Sequence, residues 1–421
     1  MKANPSGSRA ARGLLAWAML VGWSVWSATP LVNYRAGTAV GALLAVAAVA
    51  ILLPSSSGKL GVATTWGGVF LVTLLPYLVS GTLSYGTFES TSLIVAFALF
   101  LVGIPLSELL RSPKAERLDP WLPRIIMVCY IIGAIMTVRG VRINPYAARL
   151  LAADRPEAAP FKALGVGGYG FIYSSVFVMI MMAGLILSPR SAVRRVDRWL
   201  ALLTLTACSA SLVAGAYTIA LLLLFLGFLL YLAIMRAQRV GVAIALGSAV
   251  ILTAKPDIVP TVLEFGVRLV GADSIVGSKL YDLSQALTGG MVAGTQTGNR
   301  ISLYQASYKA FLQNPIFGLN GGGNVSWVEV GGHAAWPDLL AYFGLFSTVP
   351  FLVAISSHLI SVVRSMPKIP GSCAKVCLLL VLILGFLNPV TYIYQIGFVL
   401  LFFIPVSRCL WVEQVREGVE R

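Results

Sequence analysis

Charged side chains are scarce in this chain. Asp, Glu, Lys and Arg together make 11% of its 421 residues, while hydrophobic residues make 58%. That is roughly half the charged share of an ordinary globular protein. The charges avoid roughly a dozen apolar stretches, each about 15–25 residues long, between Leu14 and Trp411. No segment between them is long enough for a soluble domain, which excludes a soluble enzyme with a membrane tail. Histidine is rarer still, with only His333 and His358, and no Cys/His cluster exists to build a structural zinc site. Five cysteines occur, Cys129, Cys208, Cys373, Cys377 and Cys409. None lies in either long polar stretch, which argues against an extracytoplasmic disulfide framework. Acidic residues number 16 against 31 basic ones, for a net charge of +15. Nucleic acid is excluded as a partner, because no soluble basic domain is present to hold it.

An apolar run of about 20 residues crosses a bilayer as a helix. The expected fold is therefore an all-α polytopic membrane protein with about 12 transmembrane helices and two long extracytoplasmic loops. The expected spans are 13–32, 36–53, 62–83, 91–110, 121–138, 168–188, 198–214, 216–235, 240–254, 339–362, 375–390 and 394–411. This divides the chain into five spans in 1–138, a first outside loop at 139–167 and four spans in 168–254. A large outside loop at 255–337 comes next, then three spans and a tail in 338–421. Lys2, Arg9 and Arg12 before the first run resemble a signal peptide. The run is long for one and a second span comes at once, so a retained first helix is expected.

Orientation is set by the bias of Lys and Arg toward short cytoplasmic connections. With both termini in the cytoplasm, Lys59, the Arg111–Arg124 and Arg190–Arg198 groups, Arg236/Arg239, Arg364/Lys368/Lys375 and the C-terminal arginines all fall inside. The short outside loops keep only Arg35. The other ten basic residues lie in the two long loops, which the rule exempts.

The polar chemistry must sit mainly in those loops. The first contains Arg139, Arg142, Asn144-Pro145-Tyr146, Arg149, Asp154-Arg155, Glu157 and Lys162, and ends in Gly165-Val-Gly167-Gly168-Tyr169-Gly170. That run matches GxGxxG, but no strand precedes it and no acidic residue stands about twenty positions on, so the dinucleotide fingerprint fails. The second loop carries Glu264, Arg268, Asp273, Lys279 and Asp282, then a glycine-rich linker. Arg300 comes after it, opening a helix expected over 301–313 with Ile301, Tyr304, Tyr308 and Phe311 on one face. Asn314-Pro315 stops it, and a glycine-rich turn leads to Trp327, His333 and Trp336-Pro337-Asp338. Arginine suits a diphosphate, because its planar fork donates paired hydrogen bonds and stays cationic. Tyr and Trp offer flat apolar faces with a polar handle, which suit sugar rings. Each feature has a plainer reading: arginines contacting lipid headgroups, and an aromatic stripe packing on the bundle.

The stretch from Arg300 through Asn314-Pro315-Ile-Phe317-Gly318 to His333 and Gly344 resembles the large extracytoplasmic loop of bacterial O-antigen polymerases and O-antigen ligases. In that family an Arg precedes a short amphipathic helix ending in a Pro-x-Phe-Gly turn. A His then leads into a span with a glycine about eleven residues on. The Asn144–Tyr173 stretch also looks like the earlier outside loop of the polymerases. The resemblance implies an integral glycosyltransferase of the bacterial inner membrane, working on undecaprenyl-diphosphate-linked glycans. Donor and acceptor would be lipid-linked oligosaccharides, with membrane lipids and a chain-length regulator as further candidate partners. A polymerase moves the growing chain onto the next lipid-linked repeat; a ligase, the alternative, moves it to lipid A-core. His333 and Arg300 are the catalytic candidates. Arg149, Arg142, Arg155 and Arg268 are candidates for holding the diphosphate. Tyr304, Tyr308, Trp327 and Trp336 are candidates for binding glycan. No cofactor is implied. With no Asp-x-Asp pair or carboxylate cluster in either outside loop, no catalytic metal is expected. A lipid-linked oligosaccharide flippase or other transporter is the rival of another class, but transporters keep polar residues near the midplane. The span interiors here are almost free of ionisable groups.

Overall fold

The computed structural model describes residues 5–30, 35–52, 61–77, 87–110, 120–152, 156–215, 217–236, 258–271, 296–319, 334–391 and 393–411, with 277, 281 and 284. The described residues are almost entirely helical, and their one β pairing is a single antiparallel bridge between Val193 and Trp411. Helices lie over each expected span except 240–254, which falls outside the described residues. Five of them, Trp121–Ile143, Tyr169–Leu187, Arg195–Ala214, Ala335–Ser365 and Lys368–Leu387, are long and apolar enough to cross a membrane. Shorter apolar helices cover Gly13–Ala28, Ala39–Leu52, Val62–Tyr77, Ile94–Leu110, Ile219–Met235 and Tyr394–Leu410.

The chain forms two compact units. One comprises Met1–Gly215, Val349–Leu378 and Thr391–Arg421; the other comprises Ala216–Thr348 and Leu379–Val390. In the first unit, α1 (Pro5–Ala28), α2 (Arg35–Leu52), α3 (Val62–Thr73), α4 (Thr87–Leu101) and α5 (Gly103–Leu110) precede α6 (Trp121–Ile143). Then come α7 (Ala147–Ala152), α8 (Ala159–Ala163), α9 (Tyr169–Leu187) and α10 (Arg195–Ala214). Helix α9 has no charged residue and is apolar on every side, a pattern that suits a membrane span or an interior helix. Its residues from Phe171 to Leu185 are all buried. Helix α10 instead turns Val196, Trp199, Leu202, Leu203 and Val213 outward, an apolar face of the kind lipid covers.

The described residues close on an α-helical turn Tyr394–Phe398, a π-helical turn Val399–Phe403, an α-helical turn Ile404–Ser407 and a 3-10 turn Arg408–Leu410. Trp23 meets the rings of Phe398 and Phe402 edge-on at 5.1 and 4.9 Å. His358 is buried, with Nε2 3.0 Å from the Leu401 carbonyl and 3.4 Å from the Ser107 hydroxyl. A carbonyl only accepts, so Nε2 carries the hydrogen and His358 ties its helix to the π-helical turn. Glu108 of α5 accepts from the Gly61 amide at 3.1 Å and the Thr64 hydroxyl at 2.6 Å. It thereby caps the positive end of α3.

The two ends of the first unit differ chemically. At one end Arg124 pairs in a fork with buried Asp197 at 2.6 and 3.1 Å. Arg198 donates to the carbonyls of Ser188 and Pro189, and the Trp411 indole donates to Ser188. Arg190, Arg194, Arg195 and Arg408 belong to the same end. At the other, the Gly167 amide donates to Thr137 at 2.8 Å, while Gly170 closes against Gln395 and Ile393.

Candidate functional site

The first polar segment begins later than expected. Helix α6 runs through Arg139 and Arg142, both exposed, and stops at Ile143 because Pro145 forces its predecessor out of helical geometry. Asn144 is extended, with φ −143° and ψ 115°, and its side-chain oxygen accepts from the Tyr146 amide at 2.8 Å. Beyond this turn the segment packs around a small core of its own. Ala147, Leu151, Ala158, Phe161 and Val166 are buried together, flanked by Leu150 and Leu164. Gly165, at φ +68°, ends α8. The Val166 amide donates to the Phe161 carbonyl at 3.0 Å, and that of Gly165 to Lys162 at 2.9 Å. This paired bonding with an apolar contact across it is a Schellman stop, which calls for glycine at that position. The Gly165–Gly170 run is thus a helix stop and a close-packed helix start.

The second unit contains α11 (Thr218–Arg236), α12 (Ile258–Val270), α13 (Gln296–Gln313), the part of α14 (Ala335–Ser365) up to Thr348 and the part of α15 (Lys368–Leu387) from Leu379. Helix α13 begins five residues earlier than the expected 301. Its inward face is centred on Ser307 and Ala310, both buried, while Tyr308 is 63% exposed. The expected packing stripe is therefore corrected at Tyr308, which points outward and is open to a partner; Tyr304 is half-buried.

The Asn314–Gly318 turn docks into a break in α14. Gly344 there has φ +57° and ψ −166°, so the amides after it lose their partners within the helix. The turn supplies new ones: the Leu345 and Phe346 amides each donate, at 2.9 Å, to the carbonyls of Pro315 and Ile316. Across the break, the Thr348 hydroxyl donates to the Leu339 carbonyl at 3.2 Å. Gly318, at φ +68°, lies so close that a Cβ would stand 2.5 Å from the Tyr342 carbonyl group. The Pro-x-Phe-Gly turn and the later glycine are thus two halves of one backbone lock.

The start of α14 is anchored three ways. The Ala335 amide donates to the Asn388 carbonyl, and the Trp336 indole donates to Leu382 at 2.8 Å with its ring against Gly385. Trp336, a glycan candidate by sequence, therefore packs α14 on α15. The third anchor is Asp338, which accepts from Ser307 of α13 and from the Ala334 amide. Sequence reasoning assigned no role to Asp338 or Ser307. The signal for Asp338 was a lone carboxylate in the first turn of an otherwise apolar span.

Of the remaining candidates, Arg142 stands exposed in the last turn of α6 and Arg268 exposed in the last turn of α12. Arg149 belongs to α7, and Arg300 to α13, two turns before Ser307. Arg155, Trp327 and His333 lie outside the described residues.

No protein-family model matches this chain, and no match to a curated protein is found.

Proposed function

We propose that this protein is a polysaccharide polymerase of the bacterial inner membrane, with both termini cytoplasmic and both polar segments outside. It transfers a growing glycan from undecaprenyl diphosphate to a hydroxyl of the next lipid-linked repeat unit. The observation that carries this reading is the docking of the Asn314–Gly318 turn into the break at Gly344. It gives a physical reason for two separated parts of the O-antigen polymerase and ligase resemblance to occur together, in the segment that bears Arg300 and His333.

The bond from the anomeric carbon to the diphosphate breaks as the bond to the acceptor oxygen forms. The leaving diphosphate keeps the electron pair, so its departure calls for charge stabilisation more than protonation. Arg300 holds its oxygens, with Arg268 of the same unit as a second cation. His333 accepts the acceptor's proton. Exposed Tyr308 offers its ring to the glycan. The reaction needs no metal on this reading. The gathering of Arg124, Arg198 and their neighbours at one end of the first unit, opposite the 144–168 segment, supports the orientation.

A deletion strain analysed by polysaccharide gel tests the function. Products of one repeat indicate a polymerase, free lipid-linked polymer a ligase, and loss of surface glycan a flippase. Arg300→Ala and His333→Ala are each expected to abolish long chains while the protein stays at normal level in the membrane. Normal chain lengths in both variants would refute the site. Purified protein is expected to elongate lipid-linked repeats in the presence of chelator.

A further inference from the structure

We propose that Asp338 is a positioning residue of this transfer reaction, fixing the chain that carries His333 against the helix that carries Arg300. The inference deepens the polymerase reading and rests on it. Asp338 is 5% exposed, and its two carboxylate oxygens serve two different segments. Oδ1 accepts from the hydroxyl of fully buried Ser307 at 3.0 Å, and Oδ2 accepts from the Ala334 amide at 3.1 Å. Ala334 comes directly after His333 in the sequence and opens the described chain into α14. Ser307 lies two turns after Arg300 on α13.

Helix capping alone does not account for this arrangement. The Ala334 bond returns from the first turn of α14 to the residue before it, much as a capping box does. Pro337 in that turn has no amide to satisfy. The second oxygen instead reaches 31 residues back in sequence to another helix. Both bonds are local in space and geometrically strict. A site that transfers a proton and steadies a diphosphate needs its base and its cation kept in register, because displacement of about 1 Å costs about 10²-fold in rate.

The test uses the full-length protein in detergent with lipid-linked repeat units extracted from the deletion strain. Turnover and hydrogen exchange of peptides spanning 303–313 and 334–342 are measured together. Asp338→Ala is expected to lower kcat by about 10²-fold, with KM for the lipid-linked repeat changed less than about threefold. It is also expected to speed exchange in both peptides. Asp338→Asn can still accept from the Ala334 amide and donate to Ser307, so it should restore most of kcat and the slow exchange. The inference is overturned if Asp338→Ala keeps wild-type turnover, if its exchange stays slow, or if Asp338→Asn exchanges slowly yet remains inactive. His333→Ala in the same assay separates the two ideas. An inactive His333→Ala beside an active Asp338→Ala sinks the positioning role alone; an active His333→Ala sinks the proposed function and this inference with it.

Discussion

The two polar segments of this protein are held down by different physics. Residues 144–168 fold around apolar side chains, with Phe161, Leu151 and Val166 closing a small core and Gly165 ending the helix beside it. Around α13 and the start of α14, the described fastenings are mostly hydrogen bonds: two to the Pro315 and Ile316 carbonyls, two to Asp338 and one from Trp336. Apolar packing tolerates small displacements, since dispersion and burial change gradually with position. Hydrogen bonds and backbone locks do not, because they weaken steeply with angle and distance. The contrast teaches that the second segment is built for registration, which is what the proposed glycan transfer would require of it.

The largest effect is therefore expected at the backbone lock. Gly344→Ala places a side chain at φ +57° and ψ −166°, a region essentially reserved for glycine, at a cost of about 1–3 kcal/mol. Its Cβ would also collide with the Ile316 carbonyl group, backbone against backbone, with no flexible atom to yield. Expelling the turn leaves the Leu345 and Phe346 amides without partners, at about 1–3 kcal/mol each. Thermal unfolding in detergent, combined with protease cleavage at 314–318, should reveal a destabilised and nicked protein. An unchanged melting temperature would mean that the lock carries no stability and the comparison is wrong.

Much of the helical plan was legible from hydropathy, because a span needs only length and the absence of charge. The 168–188 expectation met α9 at Tyr169–Leu187 almost residue for residue. The edges were less legible. Arg139 and Arg142 look like loop by charge, yet they sit on an exposed helical face and α6 continues to the Asn144-Pro145 stop. Periodicity misassigned Tyr308, since an aromatic at helical spacing suits either side of a helix and the small residues Ser307 and Ala310 took the interior. Asp338 stood out as a lone carboxylate opening an apolar span, but its pairing with Ser307 was not legible because the two are distant in sequence. Such a pairing leaves no trace in local composition.

An intermediate effect is expected from the apolar core of the first segment. Phe161→Ala removes the largest side chain in that cluster, for a loss of about 3 kcal/mol. The core is small and local, so the loss should appear as protease sensitivity between Ala152 and Gly165 before it lowers the global melting temperature. Phe161→Leu keeps most of the buried area and should recover most of the resistance. Equal damage from the Leu variant would show that shape, and not burial, holds this segment.

The smallest effect is expected at a polar tie between the first segment and α6. Thr137 donates to the Gly133 carbonyl at 2.7 Å and accepts from the Gly167 amide at 2.8 Å. Thr137→Val preserves volume and leaves that buried amide without its acceptor, at about 1–2 kcal/mol. Thr137→Ser retains the hydroxyl and gives up one methyl group, about 0.8 kcal/mol of burial. If packing dominates here, Thr137→Val should weaken protease resistance less than Phe161→Ala does. The Ser variant should stay near wild type. Should the Val variant prove as damaging as the loss of Phe161, the first segment would also be fastened by a hydrogen bond, and the distinction between the two segments would reduce to one of degree.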